Sequence, residues 1–159
     1  MKKFLRLALI LTLFLVSSFS FSTSPSYAYS QSDLDKLLET GDCRNCDLSG
    51  ADLRKANLSG ADLSSADLSY AILTSANLST ANLKKANLSG ADLSGADLVD
   101  AYLPDADVRD ADLSYAFVLH ADLSYANFIG ANFEGANVRG ANFWGARLDR
   151  GWESLRYEK

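Results

Sequence analysis

The sequence predicts an all-β fold: one chain of very short strands and corners, coiled around an interior of alanine and leucine and opened by a short helix. Three observations predict it. Twenty of the twenty-one consecutive five-residue blocks between Cys46 and Arg150 begin with Ala. The third residue of each block is Leu in fifteen cases, Phe in three (Phe128, Phe133, Phe143) and Val in three (Val108, Val118, Val138). No insertion breaks the frame across 105 residues, and a strict short period means one local unit stacked on copies of itself.

Period five rules out the simpler elements. An α-helix turns about 100° per residue, so positions five apart point about 140° from each other and make no apolar stripe. A continuous strand fails as well, because an odd period alternates Leu between its two faces. Within one block, Ala and Leu are two residues apart, and a short extended segment puts both on one side. The remaining residues must then turn the chain. The position between Ala and Leu is Asp or Asn in seventeen of twenty-one blocks, so it faces outward, and the last position is Gly in eight, which suits a tight corner. At about 2 kcal/mol for each large apolar side chain buried, the inward column suffices for one domain.

The elements follow in chain order. Residues 1–28 read as a signal peptide: Lys2, Lys3 and Arg6 precede the apolar run Leu7–Val16, and Ser26-Tyr27-Ala28 fits a small-x-small cleavage site. The run is too short for a membrane span. Cleavage before Tyr29 removes three positive charges and takes the net charge from −5 to −8. Residues 29–45 form an N-terminal cap. Ser32–Thr40 reads as a helix with Ser32 as N-cap, Asp35 three residues on, an apolar stripe of Leu34, Leu37 and Leu38, and Gly41 as its stop. A stacked coil exposes an apolar, unpaired edge at each end, and this helix stands where it would cover the first coil. Cys43 and Cys46, the only cysteines, are compatible with a structural disulfide, a redox pair or half of a zinc site. A redox pair sits at a strand-to-helix junction, whereas here the pair follows a helix and opens the coil. Zinc needs two more ligands, and the single His120 is far along the chain. A structural disulfide is therefore favoured. The repeats occupy 46–150. Residues 151–159 form a C-terminal cap, where Trp152 and Leu155 are expected to cover the last coil, joined by Trp144 from one block earlier.

The A-[DN]-L-x-x tandem resembles the pentapeptide-repeat family over about two-thirds of the chain, and its in-frame copies make the match specific. The resemblance implies a right-handed quadrilateral β-helix with four blocks per coil, hence just over five coils and a rod about 25 Å long at ~4.8 Å per strand spacing. The stretch L-L-E-T-G-D-C-R-N-C-D-L-S-G-A-D-L also resembles the opening of exported cyanobacterial members. That likeness implies a helix cap and a disulfide bracket of Cys43 and Cys46 beside the first coil, in the thylakoid lumen or periplasm.

No catalytic constellation is legible. His120 falls at a corner and reads as a solvated surface residue. No Ser sits in a G-x-S-x-G context, and there is no phosphate-binding glycine loop or dinucleotide fingerprint. Carboxylates are densest at Asp97, Asp100, Asp105, Asp107, Asp110 and Asp112, a belt around one coil. It lacks the register and glutamate of a calcium loop. A solvated surface is the plain reading, with weak cation binding or an acidic docking belt as alternatives. Departures from the pattern say more. Ile72, Tyr102 and Phe117 replace Asp or Asn in the outward column. With four blocks per coil, Val99 and Leu119 stack on one face, Phe117 shares the block of Leu119, Tyr115 stands at the corner before it and Tyr102 lies on the next face. A contiguous apolar patch of this kind suggests a partner surface, and local packing along the coil is the alternative.

The expected function is that of a non-enzymatic, exported structural or protein-interaction module. No cofactor, no metal, no nucleic acid and no membrane insertion after cleavage is expected, and a monomer suffices. DNA mimicry, which the family resemblance brings up, is the second class. DNA carries one charge per ~1.7 Å, so ~25 Å of duplex holds about fifteen. The repeats carry fourteen acidic and eight basic residues, a net −6. A redox role through Cys43 and Cys46 is the third.

Overall fold

The computed structural model describes residues 29–150 and Trp152. The signal-peptide reading of 1–28 and the expected cover by Leu155 lie outside the described residues. Each block repeats one local pattern: its second residue makes a parallel bridge and its last two turn the chain. Every bridge joins residues twenty apart, from Asp42↔Asp62 to Asn127↔Arg147, so one coil is twenty residues and four blocks. The bridges define four sides. Side 1 carries Asp42, Asp62, Asn82, Tyr102, Asp122 and Asn142; side 2 runs from Asp47 to Arg147. Side 3 runs from Asp52 to Asn132, and side 4 carries Asn57, Asn77, Asp97, Phe117 and Asn137.

Backbone bonding explains why so short a strand persists. Within a block boundary, the Ala N–H donates to the carbonyl of the preceding central residue, as Ala51 to Leu48 at 3.0 Å. Between coils, the central N–H donates upward, as Leu48 to the Asp67 carbonyl at 2.8 Å, and the bridge residue donates downward, as Ile72 to the Ala51 carbonyl at 2.9 Å. The N–H groups of the Ala, bridge and central residues inside the stack thus find partners, which the burial of Ala and Leu requires. The inward columns are shut from solvent: Leu63 to Leu98 in the central column are 0% exposed. All corners from Asn45 to Gly145 take φ between 55° and 80°. The left-handed corner is therefore imposed by the coil on Lys, Tyr, Asp and His as well as on Gly, at a modest local cost that the ladder on both sides outweighs.

The outward Asp/Asn column has a local reason that facing solvent does not capture. Its side-chain oxygen accepts the backbone N–H two residues on, at the turn: Ser49 N–H to Asp47 at 3.1 Å, Ser94 to Asp92 at 2.9 Å, Trp144 to Asn142 at 3.0 Å. This Asx turn caps a donor that the ladder cannot reach. Asn also donates to the carboxylate one coil earlier, as Asn87 to Asp67 at 3.0 Å and Asn142 to Asp122 at 3.0 Å, which replaces a like-charge contact by a hydrogen bond at those steps, whereas Asp42 over Asp62, Asp47 over Asp67 and Asp92 over Asp112 remain stacked.

At the N-terminal end, α1 spans Gln31–Thr40. Its N-cap is Ser30, whose hydroxyl accepts the Asp33 N–H at 3.3 Å; the expected N-cap, Ser32, lies inside the first turn. Gly41 ends the helix at φ 71°, its N–H donating to the Leu37 carbonyl. Leu37 is buried and Leu34 packs beside the core, but Leu38 is 62% exposed, so the inward stripe is narrower than expected. The coil itself starts earlier than the alanine column. Asp42 bridges to Asp62, and Cys43 occupies the central slot of a block 41–45, with Cys46 in the alanine slot of the next. G-D-C-R-N matches the repeat only at Asp42, which is why the sequence places this block in the cap. Among the described residues, no helix is long and apolar enough to cross a membrane.

Candidate interaction surface

The five apolar residues singled out from the sequence border two adjoining sides. Val99, Phe117 and Leu119 lie on side 4, with the Asp100 N–H donating to the Leu119 carbonyl at 2.9 Å and the Leu98 N–H to the Phe117 carbonyl at 2.7 Å. Tyr115 stands at the corner that leads into Phe117. Tyr102 begins side 1, joined to Val99 through corner Asp100. Tyr115 is 64%, Phe117 52% and Tyr102 42% exposed; Val99 and Leu119 are half-buried. Ile72, another break in the outward column, is half-buried on side 3, away from this group.

Each break in the Asp/Asn column bears on the turn beside it. Phe117 has no acceptor to offer the Leu119 N–H, so its block gives up the Asx bond. Tyr102 has none either, but the residue that would donate is Pro104, which lacks an N–H and is buried. The block A-Y-L-P-D thus removes donor and acceptor together.

Tyr115 is held in place from above. Its ring lies where a Cβ on Gly135, one coil on, would stand 2.6 Å away. The same arrangement recurs for Tyr70 over Gly90 at 2.6 Å, His120 over Gly140 at 2.5 Å and Tyr125 over Gly145 at 2.6 Å, and the Asp110 carboxylate stands over Gly130. A bulky corner side chain is accommodated by a glycine twenty residues later. That pairing was legible in the sequence once the coil length is known. His120 is an exposed corner residue of this kind. Trp144 does not cover the last coil: it is 66% exposed on side 1 and meets Tyr125 edge-on, with ring centroids 4.9 Å apart at 81°. Trp152 does reach the end of the core, 5.8 Å from Phe133, which packs with Phe128 at 5.3 Å and Phe143 at 6.1 Å.

The acidic belt divides into two kinds of carboxylate. Asp97, Asp107 and Asp112 serve Asx turns to Val99, Arg109 and Ser114. Arg109 also grips Asp107 at 2.6 Å, and that guanidinium holds the carboxyl below its usual range. Asp42 with Arg44 and Asp52 with Arg54 repeat the arrangement, the arginine hydrogen bond again lowering each carboxyl. At Asp92, burial pushes the carboxyl up, but hydrogen bonds from the Ser94 hydroxyl and N–H and the Thr74 hydroxyl outweigh it. Asp100, Asp105 and Asp110 occupy corners at φ 55°, 60° and 56°. Among the described residues, no three of His, Cys, Asp and Glu come together to hold a metal ion.

Cys43 and Cys46 are buried at 0% and 4% exposure, with Cα atoms 5.2 Å apart and sulfurs at bonding distance. They lie in the core cluster with Leu37 and Leu48, below α1.

The model of the pentapeptide repeats matches residues 42–80, 76–114 and 119–150. Among solved structures, the chain is similar to HetL, a pentapeptide repeat protein involved in heterocyst differentiation regulation from the cyanobacterium Nostoc sp. strain PCC 7120. The two are 35% identical with a TM-score of 0.53, over 69% of this chain and 60% of HetL, so the likeness spans less than two-thirds of that protein. A pentapeptide repeat protein from the Arabidopsis thaliana thylakoid lumen is 38% identical over 70% of this chain and 71% of its own, with a TM-score of 0.34. Rfr23 from the cyanobacterium Cyanothece 51142 is 28% identical over 75% and 95%, with a TM-score of 0.40. The comparison with curated proteins returned no match.

Proposed function

Because this chain belongs to the pentapeptide-repeat family, whose members are right-handed β-helix solenoids, we propose that it is a non-enzymatic interaction module, four-sided in section, that docks a partner protein through Val99, Tyr102, Tyr115, Phe117 and Leu119. The observation that carries this reading is the exposed aromatic group at Tyr102, Tyr115 and Phe117: Tyr102 and Phe117 stand where the repeat calls for Asp or Asn, Phe117 gives up a turn hydrogen bond, and Tyr115 occupies the corner before it. Exposed apolar side chains gathered on two adjoining sides of a rigid scaffold make a docking site in need of little reordering. The module works outside the cytosol, in a thylakoid lumen or a periplasm, after removal of residues 1–28. Cys43 and Cys46 form a structural disulfide that pins α1 to the first coil. Their burial favours this role over redox exchange, which needs an accessible sulfur.

Phe117→Asp tests the surface. The change restores the repeat consensus and the Asx acceptor for Leu119, so the melting temperature is expected to hold or rise by a few degrees. Recovery of the native partner, captured from the compartment by tagged wild-type protein, is expected to fall. Unfolding of Phe117→Asp makes that side chain core, and unchanged recovery leaves the apolar group incidental; either result ends the proposal.

A further inference from the structure

The apolar surface lies on the most acidic stretch of the rod, and this bears on what docks there. From Asp97 to Asp122 the chain holds seven aspartates (97, 100, 105, 107, 110, 112 and 122) and one Lys or Arg, Arg109, a formal balance of −6. That one cation is already tied to Asp107 at 2.6 Å. Asp100 is the corner between Val99 and Tyr102, and Asp105 is the corner that closes the Tyr102 block. Both are exposed, and among the described residues neither carboxylate takes part in a hydrogen bond or ion pair. Both sit at positive φ, 55° and 60°, a region that Asp shares with Gly and Asn, and Asn45 stands at φ 58° in the corner column of Asp105. Among the described residues, their carboxylates thus serve neither a turn hydrogen bond nor a partner. Lys85, one coil below Asp105 in that column, is outside hydrogen-bond and ion-pair reach of it.

Resting on the docking surface proposed above, we propose that its occupant is a protein segment in which Lys or Arg side chains alternate with apolar ones. The apolar side chains lie on Val99, Tyr102, Phe117 and Leu119, and the cations reach Asp100, at the corner between the two apolar sides, and Asp105, at the corner beyond Tyr102. The chemistry is that of an apolar interface interrupted and edged by charge, in which unlike potentials steer approach and exclude acidic competitors. Arg can also stack on the exposed tyrosine rings.

The test uses a capped nine-residue peptide alternating Arg and Leu, titrated into the isotope-labelled exported protein and followed by backbone amide shifts. Two control peptides alternate Glu with Leu and Arg with Ser. The Arg–Leu peptide is expected to shift amides at 97–105 and 115–120, with affinity that falls as salt rises. The double variant Asp100→Asn, Asp105→Asn is expected to weaken it about tenfold without lowering the melting temperature, since Asn tolerates the corner. Equal binding of the Glu–Leu peptide at the same amides, or no effect of the double variant, overturns the basic occupant and leaves the docking surface standing. Equal binding of the Arg–Ser peptide removes the apolar share, and with it the docking surface. Shifts elsewhere, or none, overturn both.

Discussion

At the N-terminal end of the coil, α1 lays Leu37 against Cys43, Cys46 and Leu48 and supplies the first coil with backbone partners: the Ser30 N–H donates to the Asp47 carbonyl at 3.0 Å and the Asp33 carboxylate accepts the Asp47 N–H at 2.9 Å. At the C-terminal end, among the described residues, such pairing shrinks to the Asp149 carboxylate, which accepts the Gly130 N–H at 2.8 Å, and volume does the rest. Phe128, Phe133 and Phe143 fill the space that Leu fills elsewhere, and Trp152 lies against Phe133. Among the described residues the N–H groups of Phe133, Val138 and Phe143 meet no further coil, and Val138 and Leu148 are only half-buried. The difference teaches that a solenoid has two separate problems at its ends, unpaired backbone and exposed apolar column. The helix answers both on the sides it covers; at the other end Asp149 answers the first at one corner and the phenylalanines answer the second.

The largest test of this comparison sets the middle of the stack against an end. Leu83 is 0% exposed and Leu148 half-buried. Leu83→Lys buries an unpaired charge and is expected to cost about 4 kcal/mol or more, enough to abolish a cooperative melt. Leu148→Lys, whose amine can reach water, should cost under about 1 kcal/mol. Equal effects would mean that the last coil is as closed as the middle.

A smaller contrast compares the two covers. Leu37→Ala removes a side chain that is 2% exposed and is expected to cost about 2–4 kcal/mol, with hydrogen exchange rising first at 42–60. Trp152→Ala removes a ring that is 36% exposed, for about 1 kcal/mol, with exchange rising at 126–148. Exchange that rises along the whole rod in either variant would show that the ends are not separately closed.

Glycines give a finer version. Gly41 at φ 71° has open space around a Cβ, whereas Gly145, also at φ 71°, has the Tyr125 ring 2.6 Å from one. Gly41→Ala should cost about 1 kcal/mol from backbone strain alone. Gly145→Ala should cost about 1 kcal/mol more, and adding Tyr125→Ala should recover that excess in a double-mutant cycle. Strict additivity would remove the ring-over-glycine account.

The smallest expected effect is that of acid on the first coil. Asp42 and Asp52 are lowered from 3.8 by the hydrogen bonds of Arg44 and Arg54. A carboxyl held lower when folded lends stability that is complete above its unfolded value and is lost as pH falls through its folded value. Both groups are exposed, so the melting temperature should fall by only a few degrees between pH 5 and pH 3. Arg54→Gln should flatten that slope; an unchanged slope would detach the pair from acid stability.

Much of the coil was legible because its signal is local and repeated. Ala and Leu two residues apart must face one way, and the period of five leaves a coil as the arrangement that keeps them inward. What the side chain at the second position does was not legible: an outward Asp looks like solubility, and only the turn brings its oxygen to the N–H two residues on. The block 41–45 was hidden because Cys43 stands in a slot that reads as Leu. The N-cap was misplaced by two residues because Ser30 and Ser32 are chemically equal candidates, and only the path into the first coil distinguishes them. Of the candidate surface, Tyr102 and Phe117 were readable from the broken column and Val99, Tyr115 and Leu119 from their places beside it once residues twenty apart are stacked, while their exposure was not. Trp144 shows the same limit: its position in the chain is near the end, but its position in the block faces it outward.

By itself, then, the sequence determined the repeating unit, its inward columns and the places where the outward column breaks, since these depend on neighbours two to five residues away. Only the tertiary structure decided that twenty residues close one coil, that Tyr115 lies over Gly135, that among the described residues Asp100 stands unpartnered beside Tyr102, and that a helix meets one end of the core while phenylalanines and Trp152 fill the described part of the other. Each of those depends on residues brought together by the coil, and the distance between them is set by the ladder of hydrogen bonds from one coil to the next.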